Sequence, residues 1–333
     1  MSQPSIGGAI TRQPLTFVGL PITAPAAKFT DTLDIDQGAH LLYAGDNYTG
    51  GLDLYDIATP EARFLQSIRV RGNLYGVCFA KNVNKVFVGV GGSIVSVIDI
   101  DPASPTVNTE VARIDTDGRG AVDLVGYVPS LRKLYAGNRH LVDGVDDGFL
   151  TAIDAVSNII VGRINGLGRT LEQPQFNPAD GMLYVTGAGS NALYQVDPKT
   201  DTLMKTFHIE DDCHPNGLAI NPKTGMALLA CNREHPHVVI WDLKRQQIAA
   251  VVAETGGSDG AIYDPVADRF FTAAFGFTGG PVMGIFDGSG RFLTNVPTEA
   301  ASSWVAYDQT NRLVYAPATR DGRPGLLSFP LPE

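Results

Sequence analysis

The sequence predicts an all-β fold, a seven-bladed β-propeller, and three observations support that prediction. One pattern recurs seven times: an apolar strand, a polar turn and a second strand that ends in a small residue, as in residues 217–230. The apolar residues before the turns follow one another at separations of 44, 48, 49, 44, 43 and 44 residues. Such a repeat of about 40–50 residues, with four strands in each unit, is typical of propellers. The chain also has 37 glycines and 21 prolines, which suit many tight turns. The apolar residues that mark the repeat are Ile35, Phe79, Tyr127, Phe176, Ile220, Tyr263 and Tyr307.

The start of the chain is predicted to close the ring. Residues 1–13 are polar and contain glycine and proline, so we predict a flexible tail there and one propeller domain over residues 14–333. Residues 14–22 have the composition of a strand but precede the first repeat. The last repeat ends with a third strand at residues 325–329 and lacks a fourth. We therefore expect the early strand to complete the last blade, which protects the ring from opening.

The third and fourth strands of each unit follow the same pattern around the chain. Six of the seven third strands end in an apolar residue followed by Asp, at Asp56, Asp99, Asp154, Asp197, Asp242 and Asp287. An Asp at this place can accept hydrogen bonds from the N–H groups of the following turn, so we predict a structural role for these six. The fourth strands are predicted at residues 63–68, 109–114, 159–164, 204–209, 248–252 and 292–296.

Charge and cysteine content limit the classes of partner and compartment. A formal net charge of −10 argues against nucleic acid or an anionic membrane as the main partner. No apolar run approaches a membrane span, and no signal peptide is visible. The three cysteines, Cys78, Cys213 and Cys231, are an odd number without paired spacing. This pattern favours a reducing cytoplasm, with Cys213 and Cys231 packed in the core or rim.

Seven polar side chains are predicted to meet at one end of the propeller. The first strand of a blade lines the central channel, and the loop between the second and third strands returns to the end where the first strand begins. We call this end the mouth. The residues four positions before the repeat markers lie there: Asp31, Tyr75, Asp123, Glu172, Asn216, Asp259 and Ser303. Convergent carboxylate and amide oxygens suit a hard divalent cation such as Ca²⁺, Mg²⁺ or Mn²⁺. A water-filled polar channel without an ion is the alternative.

Two short segments resemble known propeller families. Residues 183–191, Leu-Tyr-Val-Thr-Gly-Ala-Gly-Ser-Asn, are similar to the namesake segment of the YVTN-type seven-bladed propellers, which include lactonase-like proteins. Pro215-Asn216-Gly217 and Ser258-Asp259-Gly260 resemble stretches of the gluconolactonase-type metal-binding propellers. That resemblance implies Asn216 and Asp259 as metal ligands, with Asp259 also able to act as a base. Those enzymes have six blades and carry Pro where this chain has Ser258. Their Glu ligand would be replaced here by Asp31, Asp123 or Glu172, of which we favour Glu172.

Loops at the mouth offer further candidates for substrate binding and proton transfer. Arg139 and Arg233 could hold a substrate carboxylate by paired hydrogen bonds. Three histidines could transfer protons near neutral pH, or else be ordinary polar surface residues. They are His140, His214 and His235, of which His214 is the leading catalytic candidate, while His140, His235 and Tyr75 are assigned to substrate binding.

The leading functional hypothesis is a metal-dependent enzyme that acts on a small polar or anionic molecule. A cation held by Glu172, Asn216 and Asp259 would polarise a carbonyl, and a carboxylate or His214 would move a proton. Lactone hydrolysis is the favoured reaction, with metal-assisted elimination or isomerisation as alternatives. The rival hypothesis is a non-catalytic propeller whose mouth binds a ligand or a protein.

Overall fold

The computed structural model describes residues 9–22, 28–140, 148–232 and 234–333, apart from the side chain of His140. It contains seven sheets, each of four antiparallel strands, arranged as blades in a ring. The predicted fold class is confirmed. The structure also contains two short 3₁₀ turns among the described residues, Lys81–Val83 and Ala188–Ser190. Among the described residues, no helix has the length and apolar character needed to cross a membrane.

Each blade is formed by consecutive strands, with its first strand innermost. Blade 1 comprises β2 (Thr30–Asp36), β3 (Leu41–Asp46), β4 (Gly51–Asp56) and β5 (Arg63–Arg69). Blade 2 comprises β6 (Leu74–Ala80), β7 (Lys85–Val90), β8 (Ile94–Asp99) and β9 (Thr109–Asp115). Blade 3 comprises β10 (Gly120–Val128), β11 (Lys133–His140), β12 (Phe149–Asp154) and β13 (Ile159–Ile164). Blade 4 comprises β14 (Leu171–Asn177), β15 (Met182–Gly187), β16 (Ala192–Asp197) and β17 (Thr202–His208).

The last three blades follow the same order, and the chain start completes the seventh. Blade 5 comprises β18 (Pro215–Asn221), β19 (Met226–Cys231), β20 (Val238–Asp242) and β21 (Gln247–Val252). Blade 6 comprises β22 (Ala261–Asp264), β23 (Arg269–Ala274), β24 (Val282–Asp287) and β25 (Phe292–Pro297). Blade 7 comprises β26 (Ala306–Asp308), β27 (Leu313–Arg320), β28 (Arg323–Pro330) and β1 (Thr16–Gly19).

Strand β1 closes the ring as the sequence predicts. It pairs antiparallel with β28, with Thr16 opposite Ser328 and Gly19 opposite Gly325. The strand is shorter than the predicted residues 14–22. Pro14 and Pro21 flank it, and proline has no N–H to donate to a ladder.

Part of the predicted tail lies against blade 6. Ile10 forms a parallel bridge with Asn295 of the outermost strand β25. The N–H of Thr11 donates to the Asn295 carbonyl at 2.9 Å, and the Asn295 N–H donates to the Ala9 carbonyl at 2.8 Å. Residues 1–8 of the predicted tail lie outside the described residues. The contact covers a sheet edge that would otherwise be open for pairing with another chain.

The hydrophobic core lies between neighbouring blades. Phe270 and Phe286 of blade 6 share a buried cluster with Leu228 of blade 5. Leu42 of blade 1 shares another with Tyr315 of blade 7, across the point where the ring closes. Each such side chain contributes about 1.5–3 kcal/mol when it is fully buried. Since every blade is buried on both faces, the ring is stable only when all seven are in place.

The six aspartates that end third strands have the predicted structural role. Each accepts a hydrogen bond from the backbone N–H two residues later, for example Ala58 to Asp56 at 3.0 Å and Lys199 to Asp197 at 2.8 Å. The same bond is made at Asp99, Asp154, Asp242 and Asp287. These turns lie at the end of the ring opposite the mouth, so these carboxylates are not available to the candidate site.

Candidate functional site

The seven polar positions predicted from the repeat line a single cavity of about 720 Å³ at the mouth. We call it the mouth cavity. The seven lining side chains come from all seven blades: Asp31, Tyr75, Asp123, Glu172, Asn216, Asp259 and Ser303. The structure therefore brings the predicted set together, while the roles assigned to these residues stay predictions.

A β-bulge places the polar side chain in each of the first five blades. The register of β2 against β3 shifts between Thr30 and Leu33, which leaves Asp31 outside the regular ladder. Equivalent shifts occur in β6, β10, β14 and β18 at the matching position. A bulge bends the strand and redirects a side chain, here toward the channel axis. In blades 6 and 7 the corresponding residues, Asp259 and Ser303, precede the first strand.

Leu124 and Trp304, each directly after one of the predicted polar positions, are buried side chains at the floor of the mouth cavity. Leu124 of blade 3 belongs to the same apolar cluster as Trp304 of blade 7, so it reaches across the channel. The indole N–H of Trp304 donates to the Leu33 carbonyl at 3.2 Å. Gln173 of blade 4 donates to the Ala261 carbonyl of blade 6 at 3.0 Å. The cavity is therefore a cup at one end of the propeller, and we call it the cup.

The carboxyl groups of the cup disfavour one another's charge. Burial raises the pKa of Asp31, and the charges of Asp123 and Asp259 raise it further. Burial also raises the pKa of Glu172 well above its ordinary value, reinforced by the charge of Asp123. The pKa of Asp123 is raised by burial although Arg139 acts in the opposite direction. The cup thus concentrates negative charge that a bound cation would neutralise.

Arg139 provides a positive charge in this acidic cup. Its Nη1 lies 2.7 Å from Asp123 Oδ2. Burial opposes the charge of the guanidinium, but Asp123, Glu172 and Asp259 together raise its pKa. Arg139 therefore stays charged. Because its side chain is 38 % exposed, it can also reach a ligand in the cup.

Asn216 and Asp259, the pair singled out by resemblance, are in contact. The Asn216 Nδ2–H donates to Asp259 Oδ1 at 3.1 Å, which directs the amide oxygen away from that carboxylate. Of the described acids in the cup, no three offer oxygens all within 4.8 Å of one another. A hard cation that binds one or two carboxylates and keeps several water ligands suits this donor set. The residues present therefore fit a hydrated divalent cation.

Two predicted histidines lie beside the cup. His214 and His235 stack on each other with ring centroids 4.8 Å apart, and neither lines the mouth cavity. The backbone of His140 ends strand β11, but its side chain is outside the described residues, as is the whole of Arg233. The catalytic role assigned to His214 stays a prediction, and its side chain lies outside the lining of the mouth cavity.

The cysteine prediction needs a correction. Cys213 and Cys231 form a disulfide, although the sequence suggested unpaired thiols. Cys213 lies two residues before β18 and Cys231 is the last residue of β19. Strand pairing brings them together, which their separation of 18 residues does not reveal. Both are fully buried, as predicted. Cys78 is free. The predicted cytoplasmic location stays a prediction.

Aromatic residues that the repeat analysis missed also line the cup. Phe29 lies two residues before Asp31, and Phe275 follows strand β23. Phe29 packs against Tyr75 with ring centroids 6.2 Å apart. Phe275 could have been found, because it begins a loop between a second and a third strand, which is the kind of loop expected at the mouth.

Stability without a bound cation should decrease as the pH rises from 5 to 7.5. A carboxyl group whose pKa is raised by folding stabilises the fold fully below its ordinary pKa, and this stabilisation is lost as the pH rises through the raised pKa. Asp31, Asp123 and Glu172 behave in this way, and burial raises the pKa of Asp34, in the same channel, from 3.8 to about 6. Asp34 alone should account for about 1 kcal/mol between pH 5 and 7.5, because its raised pKa lies only about one pH unit above the start of this range.

Thermal unfolding in a chelator at the two pH values tests this expectation. Folding lowers the pKa of the turn residues Asp56, Asp99 and Asp154. Their contribution to stability therefore changes with pH only around and below their ordinary pKa, and it does not offset the decrease expected between pH 5 and 7.5. Added Ca²⁺ should raise the Tm more at pH 7.5 than at pH 5. A chelated protein with a higher Tm at pH 7.5 than at pH 5 would contradict the expectation.

Comparisons with known proteins support the fold and leave the function open. No family model and no curated protein sequence matches this chain. The chain is similar to one in the solved structure described as "Crystal Structure of Mitotic Checkpoint Complex", with a TM-score of 0.74. The two are 12 % identical, and the similarity covers 99 % of this chain and 96 % of the other. At this identity the match shows a shared fold alone.

Proposed function

We propose that this propeller binds a hard divalent cation in the mouth cavity and acts there on a small, oxygen-rich or anionic molecule, with lactone hydrolysis as the leading reaction. The observation that carries the proposal is the convergence of Asp31, Asp123, Glu172 and Asp259 on one cup of about 720 Å³. A volume of this order suits a small molecule. Mutual repulsion among these carboxyl groups would be relieved by a cation, which supports binding over an empty wet channel.

Each side chain of the cup has a role in this proposal. Glu172, Asn216 and Asp259 would hold the cation, directly or through its water ligands, and Asp31 and Asp123 would accept hydrogen bonds from those waters. A cation bound there would supply Lewis-acid polarisation of a substrate carbonyl. Arg139 binds an anionic group of the substrate through its fork of N–H donors. Asp259 accepts a proton from water, and a carboxyl group with a raised pKa can donate one to the leaving oxygen. Elimination or isomerisation would use the same groups.

A second candidate is a non-catalytic propeller whose cup binds a positively charged group of a protein. The aromatic rings of Phe29, Tyr48, Tyr75 and Phe275 line the cup together with the acids. Aromatic faces beside carboxylates suit an ammonium or guanidinium group, such as a lysine or arginine side chain. The structural similarity to a chain from a protein complex is compatible with this candidate at the level of fold.

Cation binding distinguishes the two candidates. We expect the chelator-stripped chain to bind one Ca²⁺, Mg²⁺ or Mn²⁺ by isothermal titration calorimetry. Asp259→Asn should weaken that affinity about 100-fold, a loss of about 2.7 kcal/mol. Asp264→Asn is a matched control in the same blade, because Asp264 accepts its hydrogen bonds from the turn N–H groups of Val266 and Ala267. An asparagine can form the same turn.

Activity is then measured with a panel of lactones and a pH indicator. We expect proton release with the loaded wild-type chain and with Asp264→Asn, and its loss with Asp259→Asn. Absence of cation binding in the wild-type chain would contradict the proposal of a metal-dependent enzyme. Cation-independent binding of a lysine-rich or arginine-rich peptide to the cup would instead support the second candidate.

A further inference from the structure

A second group of side chains lies at the rim of the mouth, outside the cup. Asp212 Oδ1 is 3.1 Å from His214 Nε2, and Asp212 Oδ2 is 3.1 Å from His235 Nδ1. We call these three residues the rim cluster. All three ligand atoms lie within 4.8 Å of one another. Asp212 is 76 % exposed, and the two histidines are 33 % and 24 % exposed, so the cluster is open to solvent on one side.

His214 is oriented as a metal ligand usually is. Its Nδ1 lies 2.7 Å from the carbonyl oxygen of Ala188, which can only accept a hydrogen bond. Nδ1 therefore carries a proton that it donates to this carbonyl, and Nε2 is the ring atom that faces Asp212. A backbone carbonyl in this position is the usual second partner of a metal-bound histidine. The backbone is fixed as well, since the His214 N–H donates to Asn191 Oδ1 at 2.7 Å and His214 adopts a left-handed φ of 47°.

The spacing of the rim cluster suits a first-row transition metal. A carboxylate that faces two imidazole nitrogens needs a proton or a cation between the paired atoms. Zinc–nitrogen and zinc–oxygen bonds of about 2.0–2.2 Å place neighbouring ligand atoms roughly 2.9–3.4 Å apart in tetrahedral or octahedral geometry. The two observed separations of 3.1 Å lie within this range.

The loops that carry the rim cluster are joined to each other. The Cys213–Cys231 disulfide links the segment that contains Asp212 and His214 to the segment that leads to His235. His237 pairs with Asp211 immediately beside it. The His235 N–H donates to the Asn232 carbonyl at 3.0 Å. The disulfide and these hydrogen bonds hold the ligand atoms near their binding positions. The conformational entropy lost when a metal binds is therefore smaller.

We propose that Asp212, His214 and His235 form a binding site for a transition-metal ion of the Zn²⁺ or Co²⁺ type. Two imidazoles and one carboxylate select borderline metals, whereas the all-oxygen cup selects hard ones. The rim site therefore differs from the mouth cavity in ligand chemistry, and the proposal does not depend on the function of the cup. Three protein ligands leave room for water or for an exogenous ligand at the edge of the mouth.

Co²⁺ is a suitable probe because its visible absorption reports coordination. The oxidised, chelator-stripped full-length chain is titrated with Co²⁺ by calorimetry and absorption, so that the disulfide sulfurs are unavailable as thiolates. We expect one Co²⁺ per chain, and about tenfold or greater loss of affinity in His235→Gln and in Asp212→Asn. His208→Gln is the matched control, since His208 ends strand β17 on an exposed outer face.

Glu172→Gln separates the rim site from the cup. This variant should bind Co²⁺ within about twofold of the wild-type affinity, because the two sites share no ligands. Asp212 is an exposed loop side chain and His235 a partly exposed one, so the thermal unfolding of both rim variants should match that of His208→Gln. Absence of Co²⁺ binding in the wild-type chain, or affinity unchanged in both rim variants, would overturn the proposal. Loss of Co²⁺ binding in Glu172→Gln would do the same by assigning the metal to the cup.

Discussion

Deletion of residues 1–20 should destabilise the protein by about 5 kcal/mol or more, because blade 7 then loses its outer strand. Leu20 is 1 % exposed, and its loss alone is worth about 3 kcal/mol. Val18 packs against the same core cluster. The deletion also removes the backbone pairing of β1 with β28 and exposes a long strand edge to aggregation. A loss of this size is comparable with the whole stability of many domains, about 5–15 kcal/mol.

Urea unfolding of the deletion variant measures this effect, with two single substitutions as references. Leu20→Ala leaves the strand pairing intact and should lose about 3 kcal/mol while remaining folded. Arg12→Ala, at an exposed position before β1, should remain within about 0.5 kcal/mol of wild type. If the deletion variant unfolds at the wild-type urea concentration, the chain start does not contribute to ring closure, and the role assigned to β1 is wrong.

Replacement of Arg139 by alanine should destabilise the cation-free protein by about 2 kcal/mol at pH 7.5, less than the roughly 3–5 kcal/mol expected for a fully buried ion pair, because the Arg139 side chain is 38 % exposed. Asp123, with only 8 % of its side chain exposed, would lose its counter-charge at 2.7 Å while it stays next to Glu172, so its ionised form becomes more costly. At pH 5 the loss should be smaller, because these carboxyl groups have raised pKa values and take up protons more easily.

Chemical denaturation at both pH values in a chelator checks this result. Arg63→Ala is the control, because its ion pair with Asp56 at 2.9 Å is a surface contact and Arg63 is 72 % exposed. Such a pair contributes about 0–1 kcal/mol. Adding Asp123→Asn to Arg139→Ala should restore much of the lost stability. Equal losses in Arg139→Ala and Arg63→Ala would show that the cup carboxylates are not strained by their proximity.

The composition of the mouth cavity could be predicted from the repeat, because every blade uses its first strand in the same way. A position that is four residues before the marker in one blade is equivalent by rotation in the next, so Asp31 and Glu172 had to approach the same axis. The bulges could not be predicted, since a bulge depends on how two strands pair. They decide that Glu172 lines the cup while its neighbour Gln173 donates a hydrogen bond to Ala261 of blade 6.

The rim cluster and the disulfide depend on loop conformation and were not predicted. His214 is two residues from Asn216, and the sequence alone suggested that both would serve the same cavity. The structure separates them because the left-handed backbone at His214 and its contact with Ala188 turn the ring to the rim. Cys213 meets Cys231 only because β18 pairs with β19, which brings their flanking loops together.

The number of blades, the closing strand and the identity of the seven mouth positions were determined by the sequence, because periodic apolar strands specify a repeated sheet wherever they occur. Only the tertiary structure decided which polar atoms meet, which carboxyl groups have raised pKa values, and which histidines leave the cup. These properties depend on distances of a few ångströms between residues far apart in the chain. Both the Coulomb energy of two charges and the desolvation of a carboxyl group change strongly over such distances.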